Sequence, residues 1–333
     1  MWMLTTPLCD LLGIDAPLIQ APVGSASCPA LVAAVSRAGA LGMLSFTWAP
    51  VEQVATDLAE LGVLLGPDVP FGVNFILDFS IEEKLALCLK AGVRVVSTFW
   101  GDPAPFVERI HAAGAVHLHT VGSAVEAVRA VEAGVDAVVC QGWEAGGHVW
   151  GTAASLPLIP AVVDAVSPVP VIAAGGIADG RGLAAVLTLG AQAAWVGTRF
   201  LASEEARTHE VYRSRVVAAA ETDAVHTLAF DGGWPGAAHR ALWNSTLEAW
   251  EAAGRPAASE RPGEGDVVAS GPWGDQLRYG DMMPLPGMRG DLEAMALYAG
   301  QSAGLVREVL PAARIVEGFV REATDVLSRL GGV

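Results

Sequence analysis

The sequence predicts a (β/α)8 barrel with a smaller C-terminal lid or elaboration, and three observations lead there. An alanine-rich, helix-like stretch ending in glycine recurs ahead of short β-branched runs. Those runs are apolar throughout, as strands buried on both faces are, and the repetition stops after Phe200. Glycine closes such helices because it takes the left-handed conformation at little cost. The signature stands at Ala38-Gly39-Ala40, Ala91-Gly92, Ala113-Gly114, Ala133-Gly134 and Leu189-Gly190.

Adding the runs at 17–20, 70–76 and 170–174 gives eight strands beginning near residues 17, 41, 70, 93, 116, 135, 170 and 193. Helical segments fall between them at 29–38, 51–61, 81–90, 124–132 and 180–189. Eight alternations of parallel strand and helix in about 200 residues fit a closed barrel, with a doubly wound open sheet as the rival. Residues 203–220 then read as helical, 254–271 as a Gly/Pro/Glu-rich loop, and 292–330 as an amphipathic helix pair. The organisation expected is a barrel over 1–213, a lid over 214–300, and C-terminal helices over 301–333 packing back on the barrel.

Composition narrows the function. Among 333 residues, 52% are hydrophobic and 17% charged, which excludes a disordered chain. A net charge of −16 argues against a nucleic-acid partner held by a basic surface. Cys9, Cys28, Cys88 and Cys140 form no C-x-x-C pair, so neither a disulfide scaffold nor a metal site is expected. No apolar run approaches a membrane span, and residues 1–7 carry no basic leader region. The reading is a soluble, cytoplasmic protein with no membrane partner.

Barrels of this class work from the loops after their strands' C-terminal ends. The sixth strand leads into Gln141-Gly142-Trp143-Glu144-Ala145-Gly146-Gly147-His148, the seventh ends in Gly175-Gly176, and the eighth in Gly197-Thr198. Bare peptide N–H groups at adjacent strand ends, with a helix dipole behind them, suit a phosphate; tight turns and a capping hydroxyl are the alternative uses. Asn74 and Gln141 can supply amide donors and acceptors to the edge of a flat heteroaromatic ring, or satisfy loop backbone. Small Ala21 and Gly146 let a ring lie near the chain. No G-x-G-x-x-G follows the first strand, so a Rossmann dinucleotide site is not supported.

These runs, with Ile19-Gln20-Ala21-Pro22, Gly72-Val73-Asn74-Phe75, Ala173-Ala174-Gly175-Gly176-Ile177, Gly197-Thr198-Arg199-Phe200 and Gly300-Gln301-Ser302-Ala303-Gly304, appear in order. The chain thereby resembles the nitronate monooxygenases (2-nitropropane dioxygenases), FMN-dependent TIM-barrel flavoproteins related to the flavin enoyl-ACP reductases. The resemblance implies that Asn74, Gln141, Gly146, Gly175, Gly176, Gly197 and Thr198 hold FMN, and that Ala21 and Pro22 lie beside its ring system. It implies that His148 faces the substrate as base or electrostatic partner, with Glu144 and Trp143 supporting the loop.

The implied reaction is oxidation of a nitronate or nitroalkane by O2 to a carbonyl compound and nitrite. The alternative on the same barrel is NAD(P)H-dependent reduction of an enoyl-thioester or quinone. The partners implied are therefore a small-molecule electron donor or acceptor and O2, with the oligomeric state open, a homodimer included. Val23 stands where the family commonly has methionine, and Val149-Trp150-Gly151 is longer and more apolar than the usual turn. Trp48, Trp100, Trp143 and Trp150 are read as rim packing or pocket lining. His117 and His119, able to point into the barrel, are read as satisfied core residues.

Overall fold

The computed structural model describes residues 4–331. Residues 1–3 and 332–333, which the sequence reading placed in the barrel and the terminal helices, lie outside the described residues, as does part of the 1–7 segment read for a leader.

Eight parallel strands form one sheet: β1 (Leu18–Gln20), β2 (Met43–Ser45), β3 (Gly72–Ile76), β4 (Val95–Phe99), β5 (Val116–Val121), β6 (Ala137–Gln141), β7 (Val171–Ala174) and β8 (Ala193–Val196). Their hydrogen-bonded order is β1-β8-β7-β6-β5-β4-β3-β2. The ring closes where Leu41, just before β2, bridges Ile19 of β1. The Leu41 N–H donates to the Leu18 carbonyl at 3.0 Å, and the Gln20 N–H to the Leu41 carbonyl at 2.8 Å. The Met43 N–H donates to Gln20 Oε1 at 3.1 Å, so the Gln20 side chain reinforces the seam. The open-sheet alternative is thereby excluded.

Strand alternation divides the apolar residues into two populations. Ile19, Met43, Val95, Leu118, Val139, Ile172, Ala193 and Trp195 fill the barrel, while Val73, Val96, Val138 and Cys140 face the helices. Met43 occupies so much of this interior that a Cβ on Gly72 would lie 2.1 Å from its sulfur. A short helix, Pro7–Leu12, adds Leu8, Cys9 and Leu12 to the same interior cluster. At six residues it was too short to carry a periodic signal in the sequence. His117 and His119 alternate with inward Leu118, so they face the helix layer and not the barrel interior. Thr98 Oγ1 joins them, at 2.9 Å from His117 Nε2 and 2.8 Å from His119 Nδ1. His117 Nδ1 is buried with no partner among the described residues, so the expectation of a fully satisfied histidine fails at that atom.

Beyond β8 the chain builds helix Glu210–Ala218, a three-stranded antiparallel sheet, and two strands of a second one whose third strand is Gly147–His148. These share a core with Tyr212, Phe230, Tyr279, Leu285 and Leu297. Three expectations need correction. The helix expected over 203–220 begins only at Glu210, where His209 Nδ1 accepts from the Val211 N–H. The loop expected over 254–271 contains the strand Val267–Gly271. Of the helix pair expected over 292–330, only Ala312–Gly331 is α-helical; the first half holds 3-10 turns at Leu292–Ala294 and Gln301–Leu305. The reason is burial: Met295, Ala296, Leu297, Tyr298 and Ala299 are all enclosed, so this stretch has no solvent face for an amphipathic helix to present.

The terminal helix packs across helix Gly180–Thr188 and also against helix Pro29–Arg37. A Cβ on Gly180 would lie 2.4 Å from Glu322 Cβ and 2.5 Å from the Ala323 nitrogen, so the two backbones touch there. Phe319 is 2% exposed in the same seam. Phe319→Ala is expected to cost about 3–5 kcal/mol and Gly180→Ala about 1–3 kcal/mol, both read as lowered urea midpoints with the visible spectrum of any bound chromophore unchanged.

Candidate active site

The inward side chains of the uppermost strand layer are small or polar, which leaves space above them. Ala21 after β1, Ser45 on β2, Asn74 on β3, Thr120 on β5, Gln141 on β6, Ala174 on β7 and Gly197 after β8 floor a cavity of about 350 Å³. That volume lies within the usual range for a small-molecule site. All ten residues singled out from the sequence, Ala21, Pro22, Asn74, Gln141, Gly146, His148, Gly175, Gly176, Gly197 and Thr198, line this one cavity.

One wall is peptide backbone. Gly175 (φ 97°) and Gly176 (φ 74°) turn in the left-handed region, where a side chain is disfavoured. The N–H groups of Gly175, Gly176 and Gly197 have no hydrogen-bond partner among the described residues. A Cβ on Gly197 would meet only ordinary contacts, 3.6 Å from Ala21 Cβ and Val23 Cγ1, so nothing in the protein itself demands glycine there. Thr198 Oγ1 accepts from the Gly300 N–H at 3.0 Å and keeps its own proton free to donate. The helix dipole expected behind the Gly175-Gly176 pair is answered from within the protein instead. Asp179 Oδ1 accepts from the Arg181 and Gly182 N–H groups, and Glu322 Oε2 from that of Gly180.

Gly146 has a structural cause of its own. A Cβ there would lie 2.3 Å from the Gly300 nitrogen, so this loop and the Ala299-Gly300 turn meet backbone to backbone. The Gln301 N–H donates to the Glu144 carbonyl at 3.1 Å across the same contact. The Glu144 carboxylate accepts from the Ser155 N–H and hydroxyl, fixing the loop to the first turn of helix Ser155–Val166. Asn74 and Gln141 differ in what they have left to offer. The Asn74 carboxamide has no side-chain partner among the described residues. Gln141 is committed to the loop: its Nε2 donates to the His148 carbonyl at 2.9 Å, and its Oε1 accepts from the Trp150 N–H at 3.0 Å.

That clamp carries the chain into a two-residue strand, Gly147–His148, paired antiparallel with His239 and Arg240 of strand His239–Leu242. The His148 ring is surrounded by aromatic groups. Its centroid is 4.5 Å from Trp234, 5.7 Å from both Tyr298 and His239, and 6.4 Å from both Trp48 and Trp100. Burial, with a smaller contribution from His239, pushes its pKa down to about 3. The imidazole is therefore neutral at ordinary pH, and the surroundings disfavour the cationic form that an electrostatic partner requires. Among the described residues His148 Nε2 has no hydrogen-bond partner, although it is buried, an atom left for something else to satisfy.

Several lining residues were not singled out in the sequence: Tyr298, Ser302 and the strap Asp281-Met282-Met283. All come from the chain beyond β8, and only Ser302 stood in a motif that offered a signal. Trp143 is turned away from the tryptophan group expected at the rim. It stacks on His226 at 4.0 Å, beneath the Arg240 guanidinium, and Trp234 takes its place near Trp48 and Trp100. Trp150 does join the group, 4.5 Å from Trp100.

The nitronate monooxygenase family model matches residues 5–82 and 79–322. Over 96% of both chains the sequence is 32% identical to the (3aS,4S,5R,7aS)-5-hydroxy-7a-methyl-1-oxo-octahydro-1H-indene-4-carboxyl-CoA dehydrogenase of Mycobacterium tuberculosis. FabK from Thermotoga maritima shares the fold with a TM-score of 0.84 and 32% identity, covering 99% of each chain. Nitroalkane oxidase from Streptomyces ansochromogenes does so with a TM-score of 0.80 and 30% identity, covering 98% of this chain and 100% of that one. The barrel, its glycine-walled mouth and these matches agree: this chain is an oxidoreductase and belongs to the nitronate monooxygenase family.

Proposed function

We propose that the chain is an FMN-dependent oxidoreductase that oxidises nitroalkanes or their nitronates with O2 to a carbonyl compound and nitrite. The observation that carries the cofactor assignment is the set of unpartnered peptide N–H groups at Gly175, Gly176 and Gly197, with Gly197 left bare where the protein has room for a side chain. Uncharged donors of this kind bind a phosphate without a buried cation. The Thr198 hydroxyl adds a donor, and the free Asn74 carboxamide offers both hydrogen-bonding senses to the edge of an isoalloxazine lying near Ala21 and Pro22. Bound FMN supplies the electron transfer between substrate and O2.

The remaining work belongs to the protein. The aromatic wall around His148 keeps water from the reacting carbon and strengthens the polar interactions inside. His148, neutral in the free protein, is the proton acceptor for a nitroalkane's α-carbon, and the anion that forms beside it favours the imidazolium it becomes. Gln141 holds the main chain on both sides of His148, fixing where the ring stands.

One observation favours a second reading, in which the same site serves an NAD(P)H-linked reaction on an acyl-thioester or quinone. It is the match over 96% of both chains to a relative whose name specifies a carboxyl-CoA substrate. Anaerobic mixing separates the two: flavin bleaching by NADH or NADPH without a nitro compound supports the second, and nitrite release from nitroethane or propyl-nitronate without a nicotinamide supports the first.

Gly197→Leu is expected to lower FMN content at least tenfold while leaving the thermal midpoint of the flavin-free protein within a degree or two. Equal flavin content in both proteins would remove the phosphate assignment. His148→Gln is expected to retain flavin and lose about 10²-fold or more in turnover. In the free wild-type protein, NMR is expected to show no His148 titration between pH 5 and 8, because protonation is displaced to about pH 3.

A further inference from the structure

A second cavity, of about 290 Å³, lies beside the barrel mouth, between the ends of β4 and β5 and the helix Ala124–Ala133. His119 lines it, 6% exposed, with Nδ1 held at 2.8 Å by Thr98 Oγ1. His119 Nε2 makes no hydrogen bond among the described residues and is not sealed off as His148 Nε2 is, so it reaches the cavity. Two indoles form a wall: Trp100 and Trp150 meet at 4.5 Å and 69°. Trp100 is held at φ 61°, a conformation bulky residues rarely take and one that clusters at ligand clamps. A Cβ on Gly122 would lie 2.6 Å from Gly151 Cα, so the turn after β5 fixes the Trp150-Gly151 backbone. The apolar Val149-Trp150-Gly151 stretch, longer than the family's usual turn, thereby supplies part of this cavity.

Three charged side chains complete the lining, Asp102, Glu126 and Arg129, and none of them forms an ion pair among the described residues. Asp102 Oδ1 accepts from the Ala104 N–H at 3.0 Å and Glu126 Oε2 from the Gly122 N–H at 2.8 Å, which leaves Oδ2 and Oε1 free. Arg129 stands three residues after Glu126, on the same helix face, and makes no hydrogen bond among the described residues. We propose that this cavity binds a purine nucleotide. The base lies against Trp100 and Trp150, its amine on the free carboxylate oxygens, a ring nitrogen or carbonyl on His119, and its phosphate on Arg129. The site goes beyond the reaction proposed above and does not rest on it.

Each group matches one need of such a ligand. Every base has a π-face, and stacking on an indole is a major part of its binding. Burial pushes the His119 pKa down to about 4, against a smaller upward pull from Asp102, so its ring is neutral. A neutral imidazole with Nδ1 engaged has one hydrogen bond left to make at Nε2, as donor or as acceptor. An aminated purine presents both senses along one edge, and its bicyclic ring covers more of the indole wall than a pyrimidine. The unpaired guanidinium suits the phosphate. This cavity lies three strands around the ring from the bare amides of β7 and β8, so its phosphate is kept apart from the one assigned there. The two cavities share Thr120, which places the nucleotide beside the reaction site.

The test measures binding of AMP, adenosine, CMP and CoA to the full chain by equilibrium dialysis, with and without saturating FMN. AMP is expected to bind equally in both conditions, and CMP about tenfold or more weakly than AMP. Trp150→Ala is expected to weaken AMP and adenosine alike, about tenfold or more. Arg129→Ala is expected to weaken AMP about fivefold or more and to leave adenosine unchanged. Trp150 and Arg129 are exposed at the rim, so both variants are expected to keep the wild-type thermal midpoint within a degree or two. CoA binding tighter than AMP, with the same dependence on Trp150, upholds the site and makes the adenosine end of a carrier its source. AMP binding at least as tight as CoA upholds it with the free nucleotide as source. No binding of AMP, its displacement by FMN, or equal AMP affinity in wild type and Trp150→Ala overturns the proposal.

Discussion

The short strand Gly147–His148 joins the barrel to the elaboration that follows it, and the arrangement of the site depends on that junction. On the barrel side both polar ends of the Gln141 carboxamide hold its backbone. On the other side it pairs with His239 and Arg240, and Val149 continues the contact by donating to the Ala238 carbonyl at 2.9 Å. Arg240 extends it further, its guanidinium donating to the Ala224 and Trp143 carbonyls. A buried amide satisfied on both ends is costly to disturb. The His148 ring is thereby fixed between Trp234 and Tyr298 instead of projecting freely into the barrel mouth.

A second backbone contact, Gly146 against Gly300, lies just before that strand. It brings Ser302 to the cavity and sets the Gly300 N–H on Thr198 Oγ1. The cavity thus combines bare amides at the ends of β7 and β8 with aromatic rings such as Trp48 and Tyr298 from distant parts of the chain. The division suits a ligand with a charged end and a flat end. Electrostatically the site is sparse, with donors that are uncharged and an imidazole held neutral by burial.

The eight strands could be read from sequence because each is short, apolar on both faces and preceded by a glycine-ended helix, all local properties. Strand starts at 116 and 193 coincide with those expected, and the others fall within two residues. The glycines at 175, 176 and 197 were legible for a related reason, since bare backbone at a strand end is itself a sequence feature. Asn74 and Gln141 had the same residue-level promise, yet their uses diverge: one carboxamide is free, the other is spent on the His148 loop.

Sequence alone determined the barrel, the strand ends that face its mouth and the identity of the residues gathered there, because strand period and helix termini are set by neighbours a few positions away. Tertiary structure decided the rest. Whether Trp143 or Trp234 meets His148, and whether Asp281 and Tyr298 reach the cavity at all, follows from how residues 210–310 fold over the barrel. So does the neutrality of His148, since its proton affinity depends on water removed by side chains nearly ninety positions away in Trp234 and farther still in Tyr298. No periodicity records such contacts; they arise from packing, which is a property of the assembled chain.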